Sequence, residues 1–345
     1  MAGLFDYEFQ LDEIKKHQPP LQKLNEIIDW EIFREVIEKS LINENRKSNA
    51  GRKPYDFILL FKIVILQRYY NLSDEQTEFQ IKDRLSFLDF LDLQIGDNVP
   101  DEKTIWLFKE KLKDNHLSKE LFDIFTDKLT TSGVVAREGT LVDASFVKVP
   151  KQRNKRVDNA DIKKGAIPLE FGDNKNKLAQ KDCDARWVTK YKIKEFGYKD
   201  HISVDQKTKV ITNYTVTPSS THDSQTIKNL IDDNDNTLYA DSAYKSEEIE
   251  EYLKENKVKS RVIQRAYRNK PLKNSQHKQN YKYSKTRVRV EHIFGTLKTS
   301  MNSALSLKAI GLERIKSLTG LVNLTYNLIR YEQLVRLKNI PSMKN

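Results

Sequence analysis

Gly139-Thr140-Leu141-Val142-Asp143-Ala144-Ser145 is a short apolar run with a carboxylate set in it. The pattern predicts a strand, and a carboxylate buried on a strand is costly unless a metal, a cation or solvent meets it. Leu238-Tyr239-Ala240-Asp241-Ser242-Ala243-Tyr244 repeats the arrangement, with the acid at the C-terminal end of a short strand. Open α/β sheets place their ligands at such strand ends. Working outward, β-branched runs bounded by polar turns predict strands at 140–149, 201–205, 210–216, 237–240 and 258–263. Helical spacing predicts helices at 223–232, 246–255, 284–300 and 312–336. That order predicts a mixed sheet with helices on it. The stretch 150–199 is polar, lysine-rich and aperiodic, and is expected to be a long basic loop.

Before Gly133 strand alternation is almost absent, and helices are predicted at 21–41, 55–70, 73–85, 101–113 and 118–131. Ser73, followed by Asp74, Glu75 and Gln76, predicts an N-cap and an acidic first turn after the Asn71-Leu72 break. The resulting helix–turn–helix serves either to read DNA or simply to pack a bundle. The expected fold class is α+β/α/β, with an all-helical domain over 1–133 and a mixed-sheet domain over 134–338.

The 345 residues include 15 Phe and 15 Tyr, enough for real cores, while 32% are charged and imply a well-solvated surface. A net charge of +11 favours acidic partners, nucleic acid foremost. With Cys183 alone, one chain can assemble neither a disulfide framework nor a cysteine zinc site, so a reducing, cytoplasmic setting is expected. Asp6 and Glu8 stand where a signal peptide would be basic and then apolar. The most apolar stretch, residues 57–66, contains Lys62 and is far shorter than the ~20 residues a bilayer span needs, so it reads as a buried helix and no membrane partner is expected.

Lys148, Lys151, Arg153, Lys155 and Arg156 follow the first strand with no acid among them. Between Lys257 and Val290 lie twelve Lys or Arg, Arg265 and Arg268 included, with no Asp or Glu and with Tyr267, Tyr281 and Tyr283 interleaved. Such a segment repels itself unless an anion lies against it. A phosphate backbone supplies that anion, and tyrosines can stack on unpaired bases. Within the helix that follows, Arg287, Glu291 and Lys298 share one face. Asp143, Asp241 and Glu291 together make a hard-oxygen donor set of the kind Mg²⁺ or Mn²⁺ prefers. Two such ions suit phosphodiester chemistry, with Arg287 and Lys298 binding phosphate beside the scissile bond.

These residues resemble the DDE-class transposases of bacterial insertion sequences, in the branch related to insertion sequence families four and five. The resemblance runs from about Ile27 to Arg336 and rests on Asn71-Leu-Ser-Asp-Glu, Asp83-Arg-Leu-Ser-Phe, Pro100-Asp-Glu-Lys-Thr-Ile-Trp, Leu141-Val-Asp-Ala-Ser, Asp182-Cys-Asp-Ala-Arg-Trp, Gly197-Tyr-Lys-Asp-His, Val216-Thr-Pro-Ser-Ser-Thr-His-Asp-Ser and Tyr239-Ala-Asp-Ser-Ala-Tyr. Arg287, Glu291 and Lys298 match the family's spacing of arginine, glutamate and lysine; its tyrosine falls on Ser284, with Tyr281 and Tyr283 nearby. The resemblance implies an RNase H-like core in which Asp143, Asp241 and Glu291 bind two Mg²⁺ ions, with Mn²⁺ able to substitute. It implies metal-dependent cleavage at the terminal inverted repeats of a mobile element and transfer of those ends into target DNA. It further implies a homo-oligomer on paired double-stranded DNA ends, recognition of the repeat by the helical domain, and association with the bacterial nucleoid when bound to DNA. The 50 positions between Asp241 and Glu291 leave no space for a large β insertion domain. An RNase H-fold nuclease without strand joining, and an inactive transposase-derived DNA-binding protein, are the competing readings. His222-Asp223 either supplies a proton or DNA contact or caps the helix after it.

Overall fold

The computed structural model describes residues 6–17, 19–42, 54–190, 192–232, 234–267, 271–337, 340 and 342–343. The chain divides into two compact units, Met1–Phe125 with Leu321–Asn345, and Thr126–Gly320.

The first unit is helical: α1 (Asp6–Lys16), α2 (Pro20–Ile27), α3 (Arg34–Leu41), α4 (Phe57–Tyr70), α5 (Asp74–Asp83), α6 (Leu85–Phe90), α7 (Glu102–Asp114) and the start of α8 (Leu117–Thr131). The helix expected over 21–41 is interrupted. Ile28 turns extended, and the Asp29 carboxylate takes the Glu31 amide to start a 3-10 turn at Trp30–Phe33. The interruption seats Trp30 against Phe33, Phe61 and Phe90, with its indole N–H donated to Asn25 at 2.9 Å. Helix α4 is the expected buried helix, and its Lys62 pairs with Asp92 at 2.7 Å. Helix α5 opens on the expected Ser73–Gln76 capping box. Its exposed residues include Glu75 and Asp83, and Lys82 is already paired to the half-buried Glu78. Such a face repels phosphate.

The second unit is built on a six-stranded mixed sheet. Strands β1 (Thr140–Lys148), β2 (Arg186–Lys190), β3 (Ile193–Asp205), β4 (Ile211–Pro218), β5 (Thr237–Tyr239) and β6 (Lys259–Ser260) run in the order β2-β3-β1-β5-β6, and β4 also pairs with β3. Strand β3 is antiparallel to β1, β2 and β4, while β1, β5 and β6 are parallel. This is the RNase H-like arrangement. Val142, Leu238 and Ala240 bury one face against α12 (Ile227–Leu230) and α13 (Glu247–Glu255), through Ile227, Leu230, Ile249 and Leu253. Helix α14 (Asn274–Lys298) packs on β1 and β5, burying Val290, Ile293, Phe294 and Leu297, and α15 (Leu312–Arg336) begins in this unit, its residues from Leu321 on belonging to the first. No described helix is long and apolar enough to cross a membrane.

The stretch expected as a basic loop is structured. It holds α9 (Arg156–Lys163), α10 (Leu169–Gly172), α11 (Lys175–Ala179), β2 and the first half of β3. Each helix is too short to display a period, and each buries at most a residue or two, such as Ile162 and Phe171. Strand β3 starts earlier than expected because its first turn of sequence is polar on an exposed edge, with Trp187 and Phe196 stacked 5.1 Å apart across β2. Asp182 stitches this region together. Its Oδ1 accepts from Tyr198 at 2.6 Å and from the Asp184 and Ala185 amides at 3.0 and 2.9 Å, and its Oδ2 accepts from the Gly311 amide at 3.1 Å. At Gly197 a Cβ would stand 2.1 Å from the Val147 carbonyl oxygen. Gly197→Ala is therefore expected to destabilise the protein by about 2–3 kcal/mol, as overpacking does, and a urea melt compares it with the wild type.

Candidate active site

Strand register brings the first two acids together. Leu141 pairs with Tyr239, so Asp143 and Asp241, each two residues on, fall on the same side of adjacent parallel strands. Val142 and Ala240 alternate to the opposite, buried face. Asp143 Oδ1 accepts the Ala144 amide at 2.8 Å. Asp241 lies two residues past β5 and caps a 3-10 turn, Ser242–Tyr244, by accepting the Ser242 amide at 2.5 Å.

Helix α14 supplies the third acid together with a cation. Arg287 Nη1 donates to Asp143 Oδ2 at 2.7 Å and Nη2 to Glu291 Oε1 at 3.0 Å. One guanidinium thus spans the strand acid and the helix acid. The sequence expectation for Arg287 was a phosphate; in this structure it meets carboxylates. Glu291 is the most open of the set, with 55% of its side chain exposed.

Burial drives the Asp143 pKa upward, and the Asp241 and Asp223 charges push the same way; the Ala144 amide and Arg287 oppose the rise without cancelling it. A carboxyl whose folded pKa is raised contributes stability when protonated, and that contribution is lost as pH rises through the folded value. In chelator at neutral pH, Asp143→Asn is expected to melt at or above the wild-type temperature, with the difference shrinking as pH falls toward 4. Thermal melts across that range check the sign.

Sequence reasoning weighed Asp223 only together with His222, as a proton source, DNA contact or cap, and did not bring Lys199, His201 or Tyr244 into the site. His222 does cap the turn after β4, accepting the Ser224 amide. Asp223 instead turns its carboxylate to Lys199 Nζ at 2.7 Å. His201 is fully buried, with Nε2 2.9 Å from the Thr217 hydroxyl and Nδ1 4.0 Å from Asp223. Burial lowers its pKa to about 4, so it is a neutral imidazole at neutral pH. The visible signals were the His222-Asp223 pair and Gly197-Tyr-Lys-Asp-His, yet only the fold shows that they meet.

The expected DNA contacts distribute unevenly. Lys298 is exposed at the end of α14, roughly 10 Å along the helix from Glu291. Lys148 pairs with Glu195 at 3.0 Å and Lys155 with Glu170 at 2.5 Å, while Lys151, Arg153, Arg156 and Arg265 are exposed. Arg268 lies outside the described residues. Tyr283 is half-buried and packs edge-on against Tyr239, centroids 6.1 Å apart. Tyr267 and Tyr281 are the exposed rings of that segment. His292 accepts from Lys209 at 2.8 Å on the surface.

Among the described residues, no three His, Cys, Asp or Glu side chains are arranged close enough to share an ion. The Arg287 bridge accounts for the spread, because it holds Glu291 and Asp143 on opposite sides of a guanidinium. The donor chemistry still fits a hard divalent cation: oxygens only, and an acid whose pKa is raised first by burial and then by two acidic neighbours.

Residues 136–328, more than half of the chain, match the family model described as the transposase DDE domain. Residues 9–111 match the model described as a transposase domain, DUF772. A solved structure described as a piggyBac transposase synaptic complex with hairpin DNA is similar at a TM-score of 0.44 and 12% identity, over 93% of this chain and 74% of that one.

Proposed function

The chain belongs to the DDE transposase family, and from that premise we propose that it cleaves DNA at the ends of an insertion sequence and joins those ends to target DNA, with Asp143, Asp241 and Glu291 as the acids of the reaction. The observation that carries the reading is the buried, charge-stressed Asp143 beside Asp241, with Glu291 tied to it through Arg287. Two Mg²⁺ ions, or Mn²⁺ in their place, would supply the activation of a water or 3′-hydroxyl and the neutralisation of the leaving oxygen. Asp143 would hold them from within β1 and Asp241 from just past the end of β5, and Glu291 from the helix once Arg287 lets go of Asp143. Arg287, so released, stays within reach of a phosphate beside the acids and can pair with it in bidentate fashion. Cleavage and joining of DNA carrying the element's own ends, with Mg²⁺ or Mn²⁺, tests the reading.

Double-stranded DNA is the proposed partner, as terminal inverted repeat and as target, held by a homo-oligomer that pairs two ends. Lys278, Lys282, Lys285 and Arg289 recur at helical spacing along α14 and are all exposed. At 100° per residue they lie on the opposite side of the helix from Arg287. The stripe suits a duplex flank rather than the reacting phosphate. Changing Lys278, Lys282 and Lys285 together to Ala is expected to weaken DNA binding and flatten the slope of log affinity against log salt by about three. Titrations at several salt concentrations measure both. The helical unit is the proposed reader of the terminal repeat, through a face other than the acidic one on α5.

A further inference from the structure

The turn after β4 carries His222 and Asp223, and their side chains do different jobs. His222 Nδ1 caps the turn. Asp223 Oδ1 accepts from Lys199 Nζ at 2.7 Å, and Lys199 is itself steadied by the Thr221 carbonyl at 2.8 Å. Lys199 thus holds the Asp223 carboxylate in the ion-free protein, where its charge adds to the burial that raises the Asp143 pKa. Packed against this turn is the one that Asp241 caps, ending in Tyr244. Tyr244 is 1% exposed, and its hydroxyl has no hydrogen-bond partner among the described residues. Burial raises its pKa, and the charges of Asp223, Asp143 and Asp241 add to the rise. A buried hydroxyl left without a partner destabilises a fold. Its setting, between two acid-bearing turns, suits a donor that is used only when those acids shift.

We infer that Asp223 is a fourth acid of the ion centre and that two donors position it: Lys199 in the ion-free protein, joined by the Tyr244 hydroxyl when a divalent cation draws the carboxylate inward. The inference rests on the reading under Proposed function and adds three residues to it. Asp223 supplies one more hard oxygen donor, on the turn packed against the one that Asp241 caps. Lys199 and Tyr244 are positioning residues, acting through Asp223 as hydrogen-bonded partners of metal-ligating carboxylates do. No covalent step is assigned to either. Tyr244 serves because a phenol donates one hydrogen bond while its ring fills the apolar layer of Val142, Leu238 and Ala240.

The test is Mn²⁺ binding to the full chain, followed by the loss of the free-ion electron paramagnetic resonance signal, with thermal melts in chelator alongside. Tyr244→Phe is expected to melt in chelator at or above the wild-type temperature and to bind Mn²⁺ about three- to tenfold more weakly. Asp223→Asn keeps the size of the side chain and an acceptor for Lys199, and is expected to weaken Mn²⁺ binding about ten- to a hundredfold. Wild-type Mn²⁺ affinity in both variants, with affinity lost in Asp143→Asn, overturns this inference and leaves the three-acid centre standing. A Tyr244→Phe melt lowered equally with and without Mn²⁺ makes the hydroxyl a packing group and overturns its assigned role. Undiminished binding in Asp143→Asn overturns the ion-centre reading itself.

Discussion

Asp143→Ala and Asp241→Ala are each expected to lower cleavage and joining of the element's ends by about a thousandfold or more while leaving end binding within a fewfold of wild type. The size follows from the several kcal/mol of transition-state stabilisation that ions held by these acids would supply, at 1.36 kcal/mol for each tenfold. The separation of binding from chemistry follows from position. Asp143 within β1 and Asp241 just past the end of β5 stand beside the helix α14 face that carries Arg287, away from the exposed lysine stripe on the same helix. Glu291→Ala is expected to behave alike, and Lys298→Ala to reduce the rate without abolishing it. A gel assay with labelled ends and a target plasmid, run in Mg²⁺ and in Mn²⁺, reads cutting and joining separately. Equal activity in wild type and Asp241→Ala would remove the acids from the mechanism; cutting without joining in the wild type would favour a nuclease of the same fold; binding alone, with neither, would favour a DNA-binding derivative.

Asp182→Ala is expected to be the most damaging substitution for stability, at about 3–5 kcal/mol. The carboxylate is 1% exposed and accepts four hydrogen bonds from three stretches of the chain, at 184–185, Tyr198 and Gly311. Its removal strands the buried Tyr198 hydroxyl and three amides at once. Tyr198→Phe removes one of the four bonds and is expected to cost about 1 kcal/mol. Denaturant melts of the two variants separate loss of the network from loss of a single donor. A cost for Asp182→Ala no larger than that for Tyr198→Phe would mean that water replaces the carboxylate.

What the sequence made legible was local conflict and long period. Asp143 and Asp241 stood out because each is a charge in an apolar strand, a mismatch that a packed sheet would otherwise remove. Helix α15 was expected at 312–336 and runs from Leu312 to Arg336, 25 residues without a proline to stop it. Short or polar elements were not legible. The opening of β3, with Lys194 and Glu195 on an edge, gives no alternation to read, and α9 to α11 bury too little to show a face. The α2–α3 break depends on Asp29 competing for a backbone amide, a local choice that helical spacing conceals. The candidate site divides along the same line. Its three acids could be named one by one, whereas the Arg287 bridge and the meeting of Asp223 with Lys199 depend on register between elements far apart in the chain.

Helix α14 carries acid-binding Arg287 on one side and the stripe of Lys278, Lys282 and Lys285 on the other. An α-helix with its side chains is about 10–12 Å across, so an anion on the stripe stays at least that far from one beside Arg287. A single straight strand cannot occupy both. The helix works as a spacer, and substitutions on its outer side can retune grip on DNA while the reacting side keeps its own chemistry.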